Sequence, residues 1–177
     1  EESFEDPKLL QDRLYLNDGK GDFTKGSLPQ ILSSTSCVVA GDFDGDGDLD
    51  LFVGGRNVPG KYPNKPMSYL LINDHGTFID VTEQLCGDLM YAGMITSALW
   101  TDYNADGRLD LIVVGEWMTP HLYENLGGTF RNMTAGSGLD SALGWWNSIN
   151  SGDFDNDGDI DYVVGNLGLN TRYKASD

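Results

Sequence analysis

The chain has 177 residues, 40% of them hydrophobic and 11% aromatic, and a formal net charge of −17 at pH 7. This apolar content excludes a disordered polymer. The 11 Lys and Arg residues are scattered and outnumbered by 28 acids, which argues against nucleic acid or an anionic membrane surface as a partner. No apolar run approaches the roughly 18 residues that a membrane helix needs, so we expect no membrane insertion.

A short motif recurs three times along the chain and predicts β-hairpins. It reads LYLNDGKGDF at 14–23, LLINDHGTF at 70–78 and LYENLGGTF at 122–130. Each copy has a short apolar segment, an Asn/Gly turn and a second segment beginning at Phe, which is typical of two antiparallel strands joined by a tight turn. Because no long stretch has the apolar spacing of an amphipathic helix, the sequence predicts an all-β protein.

An acidic motif alternates with the hairpins. It reads GDFDGDGDLDLFVGG at 41–55, TDYNADGRLDLIVVG at 101–115 and GDFDNDGDIDYVVGN at 152–166. A repeat of roughly 50 to 60 residues with about four short strands is typical of a β-propeller blade. We therefore predict a partial β-propeller of about three blades, each blade a four-stranded antiparallel sheet with an Asp-rich calcium loop.

The repeats also predict how the blades divide the chain. Residues 13–25 form the outer hairpin of a preceding blade, 36–82 and 95–132 form complete blades, and 146–166 form the inner strands of a third. A ring of three blades would be smaller than the roughly four to eight blades that propellers use. We therefore expect further blades from the same chain or from another.

The acidic loops have the residue spacing of calcium sites. In the pattern D-x-[DN]-x-D-G-x-x-D, positions 1, 3, 5 and 9 turn side-chain oxygens toward one point, Gly permits the bend, and position 7 offers its backbone carbonyl. Such an all-oxygen set suits calcium, whereas zinc or copper would favour His or Cys. The predicted ligands of three Ca²⁺ sites, position 7 included, are Asp42, Asp44, Asp46, Asp48 and Asp50; Asp102, Asn104, Asp106, Arg108 and Asp110; and Asp153, Asp155, Asp157, Asp159 and Asp161.

Two other interpretations of these loops are weaker. An EF-hand would need Glu at position 12 and a flanking helix, but Val53, Val113 and Val164 occupy that position within β-rich segments. Solvated Asp/Gly turns are common in single copies, yet three copies in register make that explanation poor. Because Asn104 replaces an acid and Arg108 adds a positive charge, the middle loop is predicted to bind calcium less well than the others.

Several longer segments carry a family resemblance. VGGRNVPGKYP, ALWTDYNADGRLDLIVVGEW and GWWNSINSGDFDNDGDIDYVVGNLGLN resemble the FG-GAP/VCBS repeat family, and more narrowly the VCBS-repeat proteins related to cartilage acidic protein. Those proteins often carry an ASPIC/UnbV-type domain, which is not visible in this sequence. The resemblance implies an extracellular, cell-surface or periplasmic propeller that binds protein or glycan partners, with calcium ligands at positions 1, 3, 5, 7 and 9 of each loop.

Other residues have two interpretations each. Cys37 and Cys86 could form a disulfide or be two buried thiols, and the absence of a C-x-x-C motif favours the thiols. The Trp145–Trp146 pair could stack on a sugar, but packing between blades is the commoner role. The insert at 57–66, rich in Pro, Gly and Lys, is expected to be an exposed loop; such loops often carry binding sites, but a plain surface connection is the commoner role.

The sequence gives no indication of catalysis. It contains no G-x-S-x-G, H-E-x-x-H or phosphate-binding motif, and neither His75 nor His121 has a catalytic neighbour. Carboxylates bound to calcium stay ionised and are poor proton donors for glycosidase chemistry. We therefore expect a non-enzymatic adhesion or interaction scaffold. The alternatives are the propeller part of a carbohydrate-active enzyme or of a larger cell-surface uptake assembly.

Overall fold

Three antiparallel sheets contain the strands of the computed structural model, which describes residues 6–168. The first sheet is the hairpin of β1 (Tyr15–Asn17) and β2 (Phe23–Lys25). The second has the order β3-β4-β5-β6, where β3 is Ser34–Gly41, β4 is Asp50–Asn57, β5 is Tyr69–Asp74 and β6 is Thr77–Asp80. This arrangement confirms the predicted all-β, antiparallel class.

The third sheet has six strands. These are β7 (Met94–Thr101), β8 (Asp110–Met118), β9 (His121–Asn125), β10 (Phe130–Asn132), β11 (Gly144–Gly152) and β12 (Asp161–Asn166). Its order is β10-β9-β8-β11-β12, with β7 also paired to β8. Near its end β8 lies between two strands, because Glu116 is opposite Met94 of β7 and Trp145 of β11. The sheets do not close into a barrel within the described residues, and the number of blades stays a prediction.

Short helices connect the two large sheets. The α-helix α1 (Thr82–Cys86) and a 3₁₀ turn at Gly87–Leu89 lie between β6 and β7, and another 3₁₀ turn at Pro7–Leu10 precedes β1. Thr82 at the start of α1 is buried, and its hydroxyl accepts a hydrogen bond of 2.8 Å from the Leu70 amide of β5. The helix is thereby fixed against the four-stranded sheet.

The main core lies between the four-stranded sheet and the sheet that follows it. The centres of β4 and β8 are buried, which explains why LFV and LIVV are continuously apolar and do not alternate with polar residues. The largest core cluster combines side chains of both sheets, including Phe52, Leu70, Ile95, Leu111, Val113 and Tyr123. Packing of the two sheets holds the acidic loops on a rigid support.

The structure shows the environment of Trp100 and of the two cysteines. Trp100 stacks on Phe43 with ring centroids 5.3 Å apart, and its indole N–H donates to the Val39 carbonyl at 3.2 Å. It therefore packs against the core between the sheets. Cys37 and Cys86 are free thiols, half-buried and buried respectively. Burial raises the pKa of each thiol to about 11, so both are largely protonated at neutral pH.

Candidate metal sites in the acidic loops

Each acidic loop joins a pair of antiparallel strands at the same relative place. The first lies between β3 and β4, the second between β7 and β8, and the third between β11 and β12. In each loop the residue at position 1 directly follows the first strand, and position 9 begins the next strand. The sheet therefore fixes both ends of the loop, and only the turn between them varies.

The aspartate at position 1 holds the turn closed. Asp42 accepts hydrogen bonds from the Gly45 amide at 2.9 Å and the Gly47 amide at 3.1 Å. Asp102 and Asp153 accept the corresponding bond from the glycine at position 6, at 2.9 and 3.1 Å. That glycine has a positive φ in all three loops, which a residue with a side chain rarely adopts. The sequence thus builds the same turn three times.

The aspartate at position 9 ties the loop to the neighbouring hairpin. Asp50 is fully buried and accepts the Phe43 amide at 3.0 Å and the Asn73 amide at 2.9 Å. Asp110 is equally buried and accepts the Asn125 amide at 2.7 Å. Asp161 is only half-buried, and within the described residues the Phe154 amide, at 2.8 Å, is the backbone donor to its side chain.

The first and third loops each gather three carboxylates. Asp42, Asp44 and Asp50 present oxygen atoms that all lie within 4.8 Å of one another, and Asp153, Asp155 and Asp161 do the same. Both groups use positions 1, 3 and 9. The predicted position 5 ligands Asp46 and Asp157 lie outside these groups; their Oδ1 atoms accept the amides of Asp48 and Asp159 at 2.8 and 3.1 Å.

The middle loop has a different set of side-chain contacts. The Arg108 guanidinium forms an ion pair with Asp106 and donates to the Asn125 carbonyl at 2.7 Å. The Asn104 amide also donates to Asp106, at 3.2 Å, and to Glu124 at 3.3 Å. Within residues 6–168, groups of three close carboxylates occur in the first and third loops and not in the middle loop. A cation at the middle loop would compete with Arg108 for Asp106.

The carboxylates of the loops affect one another electrostatically. Burial and then the nearby Asp46 and Asp42 carboxylates raise the pKa of Asp44, and burial raises the pKa of Asp50. At the exposed Asp159, the Asp157 carboxylate is the main cause of a raised pKa. Each of these shifts means that the ionised form is disfavoured, so a cation held among the oxygens would offset the repulsion. The donor set is entirely oxygen, which fits a hard divalent cation.

Two asparagines of the hairpins support the loops, and sequence reasoning did not assign them this role. The Asn73 amide group donates to the Leu49 carbonyl at 3.1 Å, and that of the buried Asn125 donates to the Phe43 and Leu109 carbonyls at 2.7 and 3.1 Å. The signal was present, because Asn occupies the same place in each copy of the hairpin motif. It was interpreted there only as a turn residue.

The other candidate residues lie apart from the acidic groups or at their edge. His75 is exposed beside the first loop and contacts Asp74 and Asp48. His121 is half-buried at the start of β9, and burial together with Lys65 lowers its pKa. Trp146 is half-buried and donates to the Met118 carbonyl at 2.9 Å. The insert at 57–66 is exposed only in part: residues 60–65 are exposed, 57–59 are half-buried and Pro66 is buried.

Comparisons with known proteins agree with the repeat pattern. The family model described as FG-GAP-like repeat matches residues 10–53 and 102–164, which together are more than half of the chain. A search of curated proteins found no match. Among the helices of residues 6–168, none has the length and apolar character needed to cross a membrane. The repeated strand–acidic loop–strand units and the match over most of their length place the chain in the FG-GAP-like repeat family.

Proposed function

We propose that this chain is a calcium-binding segment of a β-propeller that acts as an interaction scaffold for protein or glycan partners. The observation that carries the proposal is the repeated gathering of three carboxylates at positions 1, 3 and 9 of two separate loops. One such cluster on a protein surface would be unremarkable as an acidic turn. Two clusters formed by aspartates at the same loop positions, on equivalent strand pairs, are best explained if each binds the same kind of ligand.

Calcium is the proposed ion because of the ligand chemistry. Carboxylate oxygens at mutually close distances suit a hard cation with a flexible coordination number, and neither group includes His or Cys. Asp50 and Asp110 are buried and each accepts two backbone amides, yet the charge of a buried carboxylate is further stabilised by a nearby cation. We propose three sites, with the middle one the weakest, because there Arg108 already neutralises part of the charge.

The scaffold is proposed to work outside the cytoplasm, at the cell surface or in the periplasm. Extracellular modules bind calcium with dissociation constants of roughly 10⁻⁴ to 10⁻³ M, so such sites fill only where calcium is abundant. A closer relation to the VCBS-repeat proteins related to cartilage acidic protein, and the contribution of further blades, belong to the same proposal. No enzymatic role is proposed, because the clustered carboxylates are used to build the loops.

Calorimetric titration with calcium tests the proposal. Wild-type protein should take up calcium at millimolar concentration, magnesium more weakly and zinc with no preference over calcium. Arg108→Ala should strengthen the weakest site severalfold at low ionic strength, since it removes a positive charge from a surface loop. Arg13→Ala, which removes an exposed Arg far along the chain from that loop, is the matched control and should leave all sites unchanged.

Two outcomes would count against the proposal. Absence of calcium uptake at 10 mM would show that the loops are acidic turns only. A preference for zinc over calcium would show that the metal site has ligands other than the carboxylates of the acidic loops. If calcium binds but Arg108→Ala has no effect, the calcium assignment stands and the account of the middle loop is wrong.

A further inference from the structure

A pocket lies at the ends of the strands opposite the acidic loops. The acidic loops meet the start of β8, whereas this pocket is lined by residues at its other end and at the start of β7: Met94, Glu116, Trp117 and Met118, together with Pro63 and Lys65 of the insert. We call it the basic pocket. It has a volume of about 150 Å³, and cavities of that size accommodate one six-membered ring.

Glu116 connects the insert and the first large sheet to β8. The Glu116 side chain is only 2% exposed and pairs with the Arg56 guanidinium at the end of β4, which is 33% exposed. Glu116 also accepts a hydrogen bond of 3.3 Å from the Tyr62 hydroxyl of the insert. Because Arg56 precedes the insert and Tyr62 lies within it, these two contacts hold the insert in a defined position. A defined position is what a binding pocket requires.

The second wall of the pocket is aromatic. Trp117 has φ of 55°, a conformation that is rare for a residue with a bulky side chain. Its indole N–H donates to the Tyr62 hydroxyl at 2.5 Å, and its ring packs edge-on against Trp145 at 5.0 Å. Strained backbone positions of this sort are maintained where the surrounding structure requires a particular side-chain direction. Here the result is an indole at the side of a small cavity.

The segment that carries the insert differs in charge from the rest of the chain, and because Glu116 in the lining is paired with Arg56, Lys65 supplies the remaining positive charge of the pocket. Residues 51–73 contain no acid, although the chain has 28, and they include Arg56, Lys61 and Lys65. The Lys65 ammonium is anchored by a hydrogen bond of 3.1 Å to the Ala92 carbonyl, which keeps its charge at the pocket. Since the acidic loops repel anions, an anionic ligand would be directed to this surface.

We propose that the basic pocket binds one carboxylated sugar ring, such as a hexuronate residue of an acidic glycan. The volume is of the order of one ring, apolar side chains and an indole suit the C–H face of a pyranose, and Lys65, which lines the pocket, supplies a cation for the carboxylate. The proposal names the partner class of the interaction scaffold and in that sense rests on the proposed function. Its site, however, is separate from the acidic loops.

Binding of short oligosaccharides to the whole chain, measured by calorimetry in calcium, tests this proposal. The probes are a trimer of galacturonate, maltotriose as a neutral sugar of the same length, and a peptide of three glutamates. The galacturonate trimer should bind at least tenfold more tightly than the other two. Lys65→Ala should weaken that binding roughly tenfold through loss of one charged hydrogen bond, whereas Lys20→Ala, in an exposed turn of the first hairpin, should not.

Glu116→Gln tests whether the contacts of Glu116 organise the pocket. It keeps an acceptor for Arg56 but removes the charge that pairs with it, so the insert should be held less firmly and the galacturonate trimer should bind more weakly, although a negative charge is lost from the lining. Tighter binding would show that these contacts do not organise the pocket. Equal binding of maltotriose or of the peptide, or unchanged binding in Lys65→Ala, would overturn the proposal. So would loss of binding in Asp155→Asn together with full binding in Lys65→Ala, which would place the sugar on an acidic loop. The calcium titration is read separately, so failure of one proposal is distinguishable from failure of the other.

Discussion

Aspartates that look equivalent in the repeat perform two different tasks. Asp50 is buried, and its two carboxylate oxygens accept the amides of Phe43 and Asn73. Asp44 is exposed and accepts the Asp46 amide at 3.2 Å within the same turn. The first residue connects the loop to the hairpin with or without a metal. The second matters chiefly for the charge and geometry of the group of three.

This difference predicts different responses to chelation. Asp50→Ala should lower the free energy of unfolding by about 2–4 kcal/mol in chelator, because two backbone amides lose their acceptor, and by more in 10 mM calcium, because a member of the group of three carboxylates is lost as well. Asp44→Ala should lower it by about 1–3 kcal/mol in 10 mM calcium, through lost binding. In chelator Asp44→Ala should be neutral or slightly stabilising, because it relieves repulsion with Asp42 and Asp46. Thermal unfolding of both variants in both conditions measures this.

Asp74→Ala is the control for the change of charge. Asp74 is exposed and close to the first loop, but it is not in the group of three carboxylates. Its replacement should change the stability by less than about 0.5 kcal/mol in either condition. If Asp44→Ala destabilises the protein equally with and without calcium, the metal explanation of that residue is contradicted.

The acidic spacing predicted ligands at positions 1, 3, 5, 7 and 9 of each loop, and the carboxylates that lie together are those at positions 1, 3 and 9 of the first and third loops. The turn was predictable because its geometry depends on residues close together in the chain. Asn73 and Asn125 were missed as supports of the loops, since they are 23 and 15 residues from the aspartates they contact. The pairing of Arg56 with Glu116 spans 60 residues and depends on the packing of two sheets.

Some glycines lie within strands, where they are required by close packing of the backbone and not by a turn. Gly115 of β8 lies opposite Ile95, next to an irregularity in the pairing of β7 with β8. A Cβ atom at Gly115 would lie 2.1 Å from the Met94 carbonyl oxygen. Gly55 of β4 has the same relation to the Met67 carbonyl, at 2.2 Å. The neighbouring backbone passes closely where each strand approaches its end.

Gly115→Ala should therefore destabilise the protein. The added methyl group would overlap a backbone carbonyl that cannot rotate away, at a cost of about 2–3 kcal/mol. Gly87→Ala is the matched control: a Cβ there meets nothing within 4 Å, and its φ of −55° suits any residue. Chemical denaturation should show no more than about 0.5 kcal/mol of change for Gly87→Ala. Equal effects of the two variants would show that the overlap is relieved by a backbone shift.

The existence and type of the strands were largely predictable, whereas their connections were not. The apolar segments after each acidic loop and the hairpin motifs predicted β4, β5, β8, β9 and β12, because both signals are local; of these, β12 is half-buried to exposed, unlike β4 and β8. The pairing of β11 with the end of β8 was not expected, since it joins two repeats through Gly144 and Trp145. The short helix α1 was also not predicted. It has no amphipathic pattern, and its position depends on the hydrogen bond between its first residue, Thr82, and Leu70 of the neighbouring sheet.

On the scale of the molecule, the three loops are not equally supported by protein contacts. Asp50 and Asp110 are completely buried, and each accepts backbone amides both from its own loop and from a neighbouring hairpin. Asp161 is half-buried and, among residues 6–168, accepts only the Phe154 amide from the backbone. The third loop therefore has the least protein support and should depend most on the ion.

Removal of the ion by a chelator should therefore loosen the three loops one after another. Hydrogen exchange followed by mass spectrometry should show loss of protection first at 153–161, where the carboxylates of a largely exposed group repel one another once the ion is removed. The first loop should follow, because its Asp50 stays bonded to β5. The middle loop should change least, since Arg108 supplies a positive charge to Asp106 that a chelator cannot remove.

The order, more than the total loss, distinguishes ion dependence from general instability. Fraying without any role for calcium would also expose 153–161, but equally in calcium and in chelator. Simultaneous loss at all three loops would mean that they form one cooperative unit, so that unequal support by protein contacts had no consequence for local stability. If the middle loop lost its protection from exchange before the first loop, the role given to Arg108 would be contradicted. The middle loop would then depend on the ion more than the first loop, which has three clustered carboxylates.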